Sequence, residues 1–114
     1  MKIITYPEKK EVIQALHGQF FKSMIKAVVD VERELLAIDA ELHADLENML
    51  LSERNSDQKD LWGVNLFLDK PKEEWIEFTA LINIRPSMNN RSMEVEDPGM
   101  RAKVRAIVEK LIQE

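Results

Sequence analysis

The sequence predicts an α+β fold: one domain in which a mainly antiparallel sheet of about five strands carries two longer helices on one face and one short helix. Three observations lead there. Residues 61–68 and 75–85 are two apolar-rich segments joined by the turn-forming run Asp69-Lys70-Pro71-Lys72-Glu73-Glu74, the pattern of an antiparallel strand pair. Helix-start signals stand near both ends, Pro7-Glu8 and Asp97-Pro98, each followed by apolar residues at helical spacing. The chain has 114 residues with no internal repeat, low-complexity stretch or linker, which is one domain's worth.

Taken in order, residues 3–6 are rich in β-branched and aromatic side chains and predict a short strand. A helix from Pro7 to about His17 follows, with Val12, Ile13, Leu16 and Phe20 as its apolar stripe and Gly18 as its stop. Residues 25–31, centred on Ala27-Val28-Val29, predict a buried strand. The stretch 35–50 fits two periods. Leu35, Ile38, Leu42, Leu46, Met49 and Leu50 make a helix stripe, while residues 35–43 also alternate as a strand would. A short helix is expected near residues 44–51, then a polar loop over 52–60. Gly63 in the next strand signals a bulge or a close backbone approach. Residues 75–85 form the longest strand candidate, with Ile76, Phe78, Ala80, Ile82 and Ile84 on one face and Glu77, Thr79, Leu81, Asn83 and Arg85 on the other. A loop over 86–96 leads to the last helix, Pro98 to about Ile112, with Met100, Val104, Ile107, Val108 and Leu111 facing the core.

Composition limits the function. Hydrophobic residues make up 45% and charged ones 32%, an ordinary globular balance, and no run approaches the length of a membrane span. The first residues lack the apolar run of a signal peptide, and there is no cysteine, so a cytoplasmic protein without disulfides or thiolate chemistry is expected. The net charge of −5 repels phosphate, so direct DNA binding is not expected. Arg101, Lys103 and Arg105 read as a solvated helix face. No phosphate loop, nucleophile elbow or His-Glu-x-x-His is present, and three glycines are too few for a dinucleotide fingerprint, so no cofactor is expected.

Two polar sets remain. Asp39, Glu41, His43 and Asp45 would line one face if their segment were a strand; Glu41, His43 and Asp45 could then hold a divalent metal or exchange protons. On a helix they would disperse. Asn65, Asn83 and Arg85, followed by Asn89, Asn90 and Arg91, could bind an anion or a partner's carboxylate. The alternative is that Asn83 and Arg85 tie down the long loop after them. The opposite sheet face, carrying Asp39, Glu41, His43, Asn65, Asn83 and Arg85, is the expected functional surface. Trp62 and Trp75 are expected in the core or at its rim, and Met88 and Met93 could form an adaptable contact patch.

Several phrases carry a family resemblance: Lys26-Ala27-Val28-Val29-Asp30-Val31-Glu32, Ala40-Glu41-Leu42-His43-Ala44-Asp45, Asp60-Leu61-Trp62-Gly63-Val64-Asn65 and Ile82-Asn83-Ile84-Arg85-Pro86-Ser87, with Asn90-Arg91-Ser92 and Val95-Glu96-Asp97-Pro98. Together they resemble a small prokaryotic family, a domain of unknown function, some members of which are labelled the antitoxin part of a toxin–antitoxin system. The resemblance implies a hairpin ending in residues 35–42 and then a short helix, although Glu34 and Asp39-Ala40 stand where glycine-like turn residues would be expected. It implies no catalytic residue. It favours a protein-interaction module, such as an antitoxin-like regulator, with a protein partner. The alternatives are a small metal-dependent hydrolase or metal-binding protein, and an anion- or small-ligand-binding module. A homodimer is compatible with an open sheet face or edge.

Overall fold

The computed structural model describes residues 1–18 and 20–114. In chain order the elements are β1 (Lys2–Ile4), β2 (Glu8–Lys9), α1 (Lys10–Leu16), β3 (Ile25–Asp30), β4 (Leu35–Ile38), α2 (His43–Arg54), β5 (Leu61–Leu66), β6 (Ile76–Glu77), α3 (Pro98–Leu111) and β7 (Ile112–Gln113). Five strands form one sheet in the order β1-β4-β3-β5-β6, every neighbour antiparallel. The expected α+β fold is present.

The strands sort their side chains by the period of two. Ala27 and Val29 of β3, Leu36 and Ile38 of β4, and Trp62, Val64 and Leu66 of β5 join Ile13 of α1 and Val104, Ile107, Val108 and Leu111 of α3 in one buried layer. Val28, Ala37 and Leu61 face the other way and meet Leu46 and Leu50 of α2. Alanine at position 37 keeps that surface low enough for the helix to lie close. The short helix expected at an edge, α2, therefore packs across the second sheet face. It runs for twelve residues against seven in α1, and it continues to Arg54, into the stretch expected as loop.

Residues 35–38 are strand, and the period ambiguity resolves at Asp39. The β3–β4 hairpin closes with Glu34 at φ +55°, and β4 ends with Asp39 at φ +74°. Both positions needed left-handed backbone, and non-glycine residues supply it at some conformational cost. Asp30 supports the first turn by accepting from the N–H groups of Glu32 and Arg33, and its other oxygen accepts from the Ser56 hydroxyl at 2.6 Å.

Two expected elements differ. The first helix starts at Lys10 because Glu8 and Lys9 extend to pair, in parallel, with Ile112 and Gln113 beyond α3. The strand expected over 75–85 stops at Glu77. Beyond it lie two isolated bridges, Thr79 with Glu94 and Arg85 with Asn90, and short 3-10 turns at Leu81–Asn83 and Pro86–Met88. The period breaks there: Ile84 is exposed, whereas Asn83 and Arg85 are buried.

Candidate functional site

The break in the strand begins at Gly63. Its β5 neighbours keep continuous register with β3, so there is no bulge; the glycine serves a close approach. A Cβ there would stand 2.5 Å from the Cβ of Ala80 and 3.2 Å from Cδ2 of His43. The chain after Ala80 folds over this spot, and Asn83 takes the place of the next strand. Its Oδ1 accepts from Gly63 N–H at 2.8 Å, and its Nδ2 donates to Gly63 C=O at 2.9 Å and to Met93 C=O at 3.0 Å. A fully buried side-chain amide thus pairs with β5 as a backbone would.

Asn90 performs a similar task within the long loop. Its Nδ2 donates to the carbonyls of Asn83 and Glu94 at 2.7 and 2.8 Å, and its Oδ1 accepts from Glu96 N–H. Glu96 in turn accepts from the N–H groups of Arg91 and Ser92. The Ser92 contacts, with help from Arg91, hold the Glu96 carboxyl below its usual pKa. The side-chain amides of Asn83 and Asn90 are therefore taken up by backbone groups of β5 and of the loop. Arg91 is exposed and its backbone serves the Glu96 turn, away from Arg85's buried setting.

Arg85 links β5 to α2. Its guanidinium lies 5.0 Å from the ring centre of Trp62, which belongs to the first core layer, and Nη2 donates to Glu47 Oε2 of α2 at 3.2 Å. The residue is 9% exposed. Burial pushes its pKa down from the ordinary value, and Glu47 opposes that. With Glu47, Gln58, Lys59, Ile82, Ile84 and Met88 it lines a cleft of about 520 Å³.

The acidic run takes a different form from the one considered in sequence. Because β4 ends at Ile38, Asp39, Glu41, His43 and Asp45 never share a strand face. Asp39 accepts from Gly18 N–H and lies 3.2 Å from Nδ1 of His17. Glu41 and Asp45 point to solvent, and His43 opens α2 with its ring buried. Among the described residues, no three His, Asp or Glu side chains are grouped as a metal shell.

His43 Nε2 lies 2.9 Å from the carbonyl of Val64, so this nitrogen carries the proton. Burial lowers the pKa of the ring below 6.5, with Lys26 adding to the effect and the Val64 carbonyl and Asn65 opposing it. Asn65 donates to Glu77 Oε1 at 2.6 Å and to the Thr79 carbonyl. Both residues stand on a second cleft, of about 510 Å³, with Met24, Lys26, Leu42, Ala44, Ala80, Leu81, Ile82 and Met93. This is the part of the second sheet face that α2 leaves open. Its rim exposes Leu42 by 55%, Leu81 by 70% and Met93 by 40%. Sequence reasoning found His43, Asn65 and Met93 but missed Leu42, Leu81 and Glu47. The signal for Glu47 was its place on the inner stripe His43-Leu46-Glu47-Leu50, where a carboxylate needs a cationic partner.

A family model described as "Protein of unknown function (DUF5674)" matches residues 2–111. No curated protein matches the chain, and neither does any solved structure.

Proposed function

The chain belongs to the DUF5674 family, whose function is unknown, and on that premise we propose that it is a protein-interaction module whose docking surface is the cleft rimmed by Leu42, Leu81 and Met93. The observation that carries this reading is the exposure of those three apolar side chains around one opening. Solvent-facing apolar residues that cluster mark binding surfaces more often than scattered ones do. Methionine at the rim suits an adaptable contact. The occupant is a segment of a partner protein that inserts an apolar side chain between Leu42 and Leu81. Lys26 lines the same cleft and offers positive charge to the segment's carbonyls. The net charge of −5 favours a basic partner, as for an antitoxin-like regulator that covers a basic protein.

The test is native mass spectrometry of the untagged protein and of Leu81→Asp, each purified from its own host. Leu81 is the most exposed of the rim residues, so the variant should keep the wild-type thermal unfolding midpoint within about 2 °C. A stoichiometric second polypeptide on the wild type, reduced at least about tenfold on the variant, is the expected result. A partner held equally by both proteins, a second copy of the same chain in its place, or a bare chain in both samples would overturn it.

A further inference from the structure

Buried donors normally have acceptors, and around Arg85 they do not. Among the described residues, Arg85 Nε and Nη1 have no hydrogen-bond partner, and neither does the indole Nε1 of Trp62, on whose ring the guanidinium lies. A guanidinium presents two forks, Nε with Nη2 and Nη1 with Nη2. Glu47 engages Nη2 alone, so each fork has an empty arm. The missing component is an acceptor.

Charge selects its class. The titratable groups lining this cleft are Arg85, Lys59 and Glu47, one net positive charge. A singly charged planar group balances that and matches a fork, whereas a phosphate dianion would exceed it by one charge. We propose that the cleft between α2 and residues 82–88 binds one carboxylate group, accepted on one fork of Arg85, an empty arm together with the second N–H of Nη2, with Lys59 at its side. The empty arms are shielded from solvent, so binding includes a small turn of the guanidinium toward the cleft. The carboxylate belongs to a small organic acid or to an acidic side chain of a protein. Ile82 lines both clefts, which puts a protein side chain within the span of a segment docked next door. The carboxylate site stands whether or not that second cleft is used.

The experiment follows the Arg85 Nε–H and Trp62 indole N–H resonances of ¹⁵N-labelled protein during titration at constant ionic strength. The probes are acetate, a glutamate blocked at both backbone ends, inorganic phosphate and chloride. Both resonances should shift saturably with a carboxylate, with at least about tenfold weaker response to phosphate and chloride. Arg85→Lys keeps the charge, removes the forks and should abolish saturation. Glu47→Gln frees Nη2 and removes the competing carboxylate, so acetate should bind several-fold more tightly. Blocked glutamate binding about tenfold tighter than acetate assigns the site to a protein side chain, and equal binding assigns it to a small acid. No saturable response to any carboxylate would mean that buried water completes the site and would overturn the proposal. So would an acetate affinity left unchanged by Glu47→Gln.

Discussion

Asn83 shows how far a single side chain can stand in for an element. Its amide meets both backbone groups of Gly63 and a third at Met93, without access to water. Removing one partner of a buried hydrogen bond leaves the other stranded, at about 1–3 kcal/mol for each group. Asn83→Ala should therefore lower the unfolding free energy by about 3 kcal/mol, read from chemical denaturation. Asn83→Asp should lose at least as much, because a carboxylate cannot donate to the Gly63 carbonyl. An Asp variant as stable as the wild type would show that the amide's donor is not needed. None of this was visible in the alternation of residues 75–85, which is real but continues past the end of the strand. Gly63 did mark a close approach, yet the sequence holds nothing that names Asn83 as what approaches.

At the scale of elements, α2 buries both a histidine and a carboxylate and is the least legible in the sequence. Its inner stripe mixes His43 and Glu47 with Leu46 and Leu50, so the hydrophobic period is weakened where buried polar contacts and packing share a face. The hairpin before it was legible only through the family resemblance, since Glu34 and Asp39 adopt backbone angles that their residue types do not advertise. The two clear helix signals fared unequally. Asp97 caps α3 by accepting from Met100 N–H at 2.8 Å, whereas Pro7 precedes a strand that only long-range pairing creates. His43 gives α2 a pH dependence. An unfolded histidine takes up its proton near 6.5, and burial holds the folded ring below that. Below pH 6.5 the unfolded chain therefore binds more protons, and stability should fall as the pH drops until the folded ring also titrates. His43→Gln, which can still donate to the Val64 carbonyl, should flatten that part of the stability–pH curve. A slope that survives the substitution would assign the effect to other groups.

For the whole molecule, the sheet divides the work. One face is closed by α1 and α3, and the other is half covered by α2, leaving two clefts on either side of Ile82. Sequence reasoning placed function on this second face and named Asn65 and Arg85 there. It did not see that the helix would cover half of that face, because apolar residues at 46 and 50 do not say which surface they meet. No helix among the described residues is long and apolar enough to cross a membrane.

The pairing of β2 with β7 has a kinetic consequence. It joins Glu8 to Ile112, so its contacts close a loop of nearly the whole chain, and such contacts are reached late in folding. Interactions absent from the folding transition state act on the escape rate from the native state. Ending the chain at Leu111 should therefore speed unfolding by at least about tenfold, while the refolding arm of a stopped-flow chevron stays within about a factor of two. Equal changes in both arms would mean that the ends meet early. If they meet late, this two-residue ladder works as a latch: it governs how long the native state lasts more than how quickly it forms.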